Sequence, residues 1–391
     1  MAENTTAPVR HLFAGNNTPQ GFFSYYEYLI PASPRRVFVL KGGPGTGKST
    51  FMRRIGEKFN WRGWTVEYFH CSSDPDSLDG ILFPEIGIAI VDGTAPHVID
   101  PRFPGAVDEI INLGEFWDEA MLAASRDEIT LLTREISSLF ARAYWYLRAA
   151  LLMREEQAAV YEQAMDHAFA RRAWARAAAY LWEAMRAAGR QSSQLPGADT
   201  PKEGRIRRLF ATAITPSGYR SFLPDLFGGS AHLVVVRGAP GTGKSTLVAR
   251  LADFVTAQGY DCELYCDALR PERPEHIWIP ALKAGVVTST AIHPFPPRPN
   301  DLVIDLDGGL DTRLVQSETA ALETARRWAT ELSDLAIAHL KQAKHLHDRL
   351  EAYYVHSMNF PALERLQSDV EGRILAISDF ASEEASPGKA K

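Results

Sequence analysis

Gly42-Gly43-Pro44-Gly45-Thr46-Gly47-Lys48-Ser49-Thr50 decides how this chain is read. It recurs as Gly238-Ala239-Pro240-Gly241-Thr242-Gly243-Lys244-Ser245-Thr246, with eight of nine residues the same. Both fit G-x-x-x-x-G-K-[ST], a loop whose glycines let backbone N–H groups close around phosphate oxygens. In that motif the lysine reaches the β- and γ-phosphates, and the following hydroxyl is a Mg²⁺ ligand. Lys48 and Lys244 are therefore expected to hold nucleotide phosphate, and Ser49 and Ser245 the metal.

The flanks agree. Apolar runs, Val37–Leu40 and Leu233–Val236, lead into the loops, and helix-like segments, Phe51–Asn60 and Leu247–Ala257, lead out. Gly63 and Gly259 stand where a helix C-cap wants a left-handed residue. Strand, loop, helix is the context this motif requires.

The repeat reaches well beyond the loops. Leu12-Phe13-Ala14 returns as Leu209-Phe210-Ala211, and Thr18-Pro19-x-Gly21 as Thr215-Pro216-x-Gly218. Past the loops a constant offset of 196 pairs Glu67 with Glu263, Pro84 with Pro280, His97 with His293 and Arg102 with Arg298. Such self-similarity reads as tandem domains. The fold class expected is α/β: two tandem P-loop NTPase domains, each a parallel sheet with helices on both faces, each followed by a long helical region. The boundaries read as 1–117 for the first domain, 118–188 for its helical region and 189–204 for a linker. They continue as 205–311 for the second domain, 312–381 for its helices and 382–391 for a disordered tail. A strand at Arg205–Ala211 either begins the second sheet or completes the first.

Composition narrows the class. The chain has 391 residues, 46% hydrophobic and 23% charged, with net charge −6, so no global basic field recruits nucleic acid. Three cysteines, Cys71, Cys262 and Cys266, make no disulfide framework and fit a reducing cytoplasm. Met1–Gly15 lacks a signal-peptide core, and no run of 18 apolar residues occurs, so a soluble cytoplasmic protein without membrane contact is expected. The first helical region carries nine arginines with interleaved tryptophans, which reads as an amphipathic hairpin before a nucleic-acid face.

Phosphoryl chemistry also needs a carboxylate at a strand end, to hold Mg²⁺ or orient water. Ile88-Ala-Ile-Val-Asp92 supplies one in the first half, but its counterpart in the second is Thr288. The run ending at Asp305, followed by Asp307, supplies one in the second half, where the first has Asn112 and Gly114. Asp92 and Asp305 are thus the candidate metal-shell residues, and Arg102 and Arg298 the candidate transition-state arginines. Asp74, Asp76 and Asp79 are read as a loop cluster able to bind metal or act as base; the second half has Arg270, Glu272 and Glu275 there. Lys41 and Arg237, directly before the loops, are candidates to assist phosphate. Thr94 with His97, and Thr290 with His293, are candidates to sense the γ-phosphate.

The motifs LFA, TPxG, GxPGTGKST, Asp74-Pro-Asp-Ser-Leu-Asp79 and Thr94-Ala-Pro-His97 resemble those of a bacterial family of tandem P-loop proteins described as predicted ATPases. The resemblance spans His11–Asp311, and more loosely the helical regions. It implies ATP binding at Lys48, Ser49, Lys244 and Ser245, and no reaction beyond that. No LSGGQ-like signature points to a transporter ATPase, and no Asn-Lys-x-Asp motif points to guanine. The expectation is a Mg²⁺-dependent ATP-binding protein, an ATPase with two non-equivalent sites packed as a pseudo-dimer. Its helical regions are candidate docking surfaces for a protein partner. The alternatives are a non-catalytic nucleotide sensor, favoured by uncharged Thr288 and Asn112, and a small-molecule kinase.

Overall fold

A computed structural model describes residues 7–95, 98–189 and 203–384. The first half runs β1 (Val9–Phe13), β2 (Gly15–Thr18), β3 (Gly21–Ser24), β4 (Arg36–Lys41), α1 (Lys48–Asn60), β5 (Val66–His70), β6 (Leu78–Phe83), β7 (Ile88–Asp92) and β8 (Asp108–Asn112). Helices α2 (Glu119–Ala124), α3 (Arg126–Gln163) and α4 (His167–Ala187) follow. The second half begins β9 (Ile206–Leu209), β10 (Thr212–Thr215), β11 (Gly218–Ser221), α5 (Leu223–Phe227), β12 (His232–Arg237) and α6 (Lys244–Ala257). It continues β13 (Cys262–Cys266), β14 (Pro274–Ile279), β15 (Ala284–Thr288), β16 (Leu302–Asp305), α7 (Thr312–Ser317), α8 (Thr319–Ser357) and α9 (Phe360–Glu384).

Each half forms a six-stranded sheet with the same order, β1-β5-β6-β7-β4-β8 and β9-β13-β14-β15-β12-β16. The sheets are mixed, which corrects the expected all-parallel arrangement. β6 runs antiparallel to both β5 and β7, and β14 to both β13 and β15. The cause is connection length. Only a short turn separates β5 from β6, and a tight one β6 from β7, whereas a parallel neighbour needs a crossover of a dozen or more residues. β9 pairs with β13, so the strand near Arg205 belongs to the second sheet. The hairpins β2–β3 and β10–β11 carry the repeated Thr-Pro-x-Gly turns of the two halves.

By packing, the chain falls into two units that are discontinuous in sequence. Unit 1 is 1–15, 24–140 and 340–391, and unit 2 is 16–23 and 141–339. Each unit thus takes helices from the opposite half. In unit 1, Leu363, Val370 and Ile374 of α9 pack with Phe51, Met52 and Ile55 of α1 against Phe38, Ile81 and Ile90 of the sheet. In unit 2, Ala173, Ala177, Leu181 and Met185 of α4 pack with Val248, Leu251 and Val255 of α6 against Val234, Ile277 and Val286. The spacing of these residues gives each helix one apolar stripe. Backbone bridges fix the exchange. Asp118 N–H donates to the Ser357 carbonyl and Asn359 N–H to Phe116 in unit 1, while Asp166 N–H donates to Gly309 and Asp311 N–H to Ala164 in unit 2.

On the other sheet face, Leu29 lies over Gly80 in unit 1, and Phe227 of α5 lies over Gly285 in unit 2. Asn16 and Asn17, fully buried, bond the backbone of Thr212 and Ile214 within unit 2. Most of the linker and tail read from sequence, 190–202 and 385–391, lies outside the described residues. No helix among the described residues is long and apolar enough to cross a membrane.

Candidate functional site

Each glycine-rich loop leaves the C-terminal end of the strand that sits fifth in its sheet and enters a helix whose first residue is the motif lysine. Gly47 and Gly243 are the N-caps, at φ 87° and 93°, where a side chain would be strained. Neither helix has a side-chain cap, so its first N–H groups face the loop. An uncapped helix N-terminus beside a lysine can take an anion. Here each lysine folds back on its own loop: Lys48 Nζ donates to the Gly42 and Gly43 carbonyls at 2.9 and 2.7 Å, and Lys244 Nζ to Gly238 and Ala239 at 2.8 and 2.7 Å. Thr46 and Thr242 brace the two loops alike, donating to the Gly43 and Ala239 carbonyls.

The surroundings differ. At loop 1, Asp92 Oδ2 lies 3.6 Å from Lys48 Nζ, and Oδ1 accepts from Thr94 N–H. Ser49 Oγ accepts the Leu78 N–H at 3.0 Å. The Thr94 hydroxyl is committed to the Gly42 backbone. Asp79 lies in β6, buried, and accepts the Tyr26 hydroxyl at 2.7 Å, which corrects its reading as a loop carboxylate. Burial first, and the Asp79 charge second, hold the Tyr26 hydroxyl well above its ordinary pKa. Helix α8 presses on this loop: a Cβ at Gly45 would stand 2.8 Å from the Glu351 carbonyl, and one at Gly43 2.7 Å from the Tyr354 ring.

At loop 2, Thr288 replaces Asp92, its hydroxyl committed to the Glu275 carbonyl, to which it donates. Glu275 occupies the position of Asp79, in β14, but its carboxylate lines an open cavity of about 1450 Å³ together with Lys244 and Ser245. Its Oε1 is 3.2 Å from His293 Nε2, and Oε2 is 3.6 Å from His276 Nε2. Burial alone would lower the His293 pKa; the Glu275 carboxylate more than offsets this, and the net shift is upward. His276 is held neutral, well below its ordinary pKa, by burial and then by the His293 charge. Glu275, His276 and His293 have the spacing of a metal triad. However, His276 Nδ1 accepts the Thr288 N–H at 3.0 Å, so Nε2 carries the ring hydrogen and offers no lone pair to a cation. The cluster is better described as a carboxylate paired with His293, with the neutral His276 ring beside it at 3.6 Å.

Pro274 stands where loop 1 has Leu78 and has no N–H to give, so the Ser245 hydroxyl has no such donor. Asp307 Oδ1 accepts the loop N–H of Ala239 at 2.7 Å. Helix α3 meets this loop as α8 meets the first: a Cβ at Gly241 would collide with the Ala158 carbonyl. One turn earlier on α3, Arg154 lines the same cavity and has no hydrogen bond or ion pair with any described residue. Burial lowers the Lys244 ammonium pKa to about 8, with the Glu275 charge opposing and Arg154 reinforcing the shift.

The other sequence candidates lie elsewhere. Asp305 is exposed and caps the turn after β16 by accepting Asp307 N–H. Arg298 is tied to Asp301 and to Ser230, a structural clasp. Arg102 is exposed and makes no bond among the described residues; His97 lies outside them. Lys41 Nζ donates to the Gly93 and Ile99 carbonyls, while Arg237 lines the loop 2 cavity. Asp74 pairs with Lys344 at 3.4 Å. Arg154 carried no local sequence signal, and Glu275 was visible only through its alignment with Asp79. No family model, curated protein or solved structure matches this chain.

Proposed function

We propose that the chain is a Mg²⁺-dependent nucleoside-triphosphate hydrolase, ATP being the first nucleotide to test, with two non-equivalent sites of which site 2 carries the turnover. The observation that carries this reading is the pair of loops, each running from a strand end into an uncapped helix that starts at a lysine. Lys244 and the loop N–H groups would bind the phosphates, and Ser245 the metal. Glu275 would accept a proton from water as its oxygen attacks the γ-phosphorus, the bond to the bridging oxygen breaks and the diphosphate leaves. Arg154, without a carboxylate partner, would meet the charge that develops on the transferred group. Free Cys71, Cys262 and Cys266 fit a reducing, cytoplasmic setting.

The cavity volume favours one second reading. At about 1450 Å³ it exceeds the ~300–1,000 Å³ of common small-ligand sites, leaving room for an acceptor as in a kinase. Release of ADP and phosphate from Mg·ATP, measured for the full chain beside Lys48→Ala and Lys244→Ala, tests both. Hydrolysis without acceptor, lost mostly in Lys244→Ala, is the expected result. Release indifferent to both lysines overturns the proposal. ADP formation that needs an added acceptor moves the assignment to the kinase.

A further inference from the structure

Beyond phosphate, site 2 carries one feature that none of the loop chemistry uses. The Arg250 guanidinium carbon lies over the Trp174 ring, 4.7 Å from its centroid, a cation–π contact, and both residues line the cavity that holds Lys244. Arg250 stands six residues after Lys244 on α6, or about 9 Å along the helix axis. That reach is comparable with the span from the terminal phosphates through a ribose to its base. Trp174 comes from α4, the helix that unit 2 receives from the first half. Phe254 meets the indole edge-on at 6.3 Å and holds the ring in place. The other large aromatic ring of the cavity is Tyr219, from β11.

Among the described residues, loop 1 has no such platform. The arginine at the same place on α1, Arg54, forms an ion pair with Glu364 of α9 at 3.2 Å. The residue of α9 that corresponds to Trp174 is Gln367, bonded to Glu371. The two sites are therefore alike where phosphate would sit and unlike one nucleoside length away.

We infer that the Trp174–Arg250 pair is the base-binding platform of site 2, taking the purine of a nucleoside triphosphate by stacking. This rests on the reading of loop 2 as a phosphate site. Stacking is indifferent to the exocyclic groups that tell adenine from guanine, because every base has a π-face. Site 2 consequently accepts ATP and GTP with similar affinity and inorganic triphosphate more weakly.

The test is equilibrium binding of ATP, GTP and inorganic triphosphate, each with Mg²⁺, to the full chain carrying Lys48→Ala so that site 2 alone reports. Trp174→Ala is expected to weaken ATP and GTP about 5- to 100-fold while leaving inorganic triphosphate within twofold. Trp174→Phe retains most of the affinity. Arg250→Ala, at an exposed position, repeats the pattern if the Trp174→Ala protein folds poorly. Equal loss for nucleotide and inorganic triphosphate, no loss for either, or ATP and GTP differing more than tenfold in the Trp174 protein overturns the platform. Failure of the phosphate reading is separate: there, an added Lys244→Ala change leaves all three ligands unaffected.

Discussion

Loop 1 and loop 2 differ at one residue in nine and share a backbone setting, yet the side chains that surround them differ. At loop 1 the carboxylate beside the lysine, Asp92, is on the neighbouring strand β7; at loop 2 no described carboxylate lies within ion-pair distance of Lys244, and the one whose charge acts on it most, Glu275, comes from β14. The serine hydroxyl is fixed by a backbone N–H at loop 1, and a proline removes that donor at loop 2. Helix α8 brings Tyr354 and a carbonyl onto the first loop, while α3 brings a carbonyl and an arginine toward the second. The motif thus defines where an anion can sit. On the function proposed above, what happens to it would be decided by side chains from a strand the motif does not include and a helix from the opposite half.

The largest expected effect lies in the arginine. Arg154→Ala should lower turnover about 10³-fold, or about 4 kcal/mol of transition-state stabilisation, with nucleotide affinity much less changed. The residue one turn before the carbonyl that meets loop 1 is His347, on α8, and His347→Ala should leave turnover within a few-fold. Steady-state rates of the two variants decide this. Equal losses would mean that the sites share the chemistry and the contrast drawn here is false.

A slightly smaller effect is electrostatic. Lys244 titrates near 8 in the folded chain against 10.5 in the unfolded one. Between those values the unfolded chain holds a proton that the folded chain has lost, so stability rises with pH across that window. The gain, relative to Lys244→Met, should approach roughly 3 kcal/mol. Nucleotide affinity at site 2 should move the opposite way, weakening above pH 8 as the ammonium disappears. Chemical denaturation at pH 7.5, 9 and 10 in both proteins, without nucleotide, measures the first; parallel curves for the two would remove the case for a desolvated lysine.

Glu275→Gln follows, with about a 10²-fold loss of turnover, near 2.7 kcal/mol. The matching Asp79→Asn change in β6 should cost stability through the buried Tyr26 bond and spare turnover. A turnover loss in Asp79→Asn as large as that in Glu275→Gln would place the working carboxylate in both halves.

Much of this was legible in the sequence, and the reasons for the rest are physical. The strands β4, β7, β12 and β16 announced themselves as apolar runs. β6 did not, because Asp79 and Gly80 are poor strand formers and the Asp-Pro and Ser residues before it signal a turn. β14 opens on Pro274, which only a first strand position or an edge tolerates. Periodicity can show which face of a helix is apolar, but a stripe of Ala173, Ala177 and Leu181 does not say whose sheet it will cover. The exchange of helices followed from that gap, and with it Arg154 and Trp174 were assigned to no site. Asp305 shows the opposite failure: an apolar run ending in an acid is a strong pattern, and here its acid does local work.

Asp305 gives the smallest and most pointed test. Its side chain is exposed and accepts the Asp307 N–H at 3.0 Å, the bond that starts the turn after β16. Two residues on, Asp307 accepts a loop N–H, and it also lines the cavity. Asp305→Ala should therefore cost about 1 kcal/mol of stability, the usual worth of a lost cap, and leave turnover unchanged. Asp307→Ala frees the Ala239 N–H and should alter nucleotide affinity at site 2 severalfold. Thermal unfolding and saturation kinetics on the two variants separate the roles. If Asp305→Ala instead loses turnover at constant stability, the carboxylate swings to the metal when nucleotide arrives. The second site would then use the strand beside β12 as the first uses β7, and the two loops would be more alike in action than their surroundings suggest.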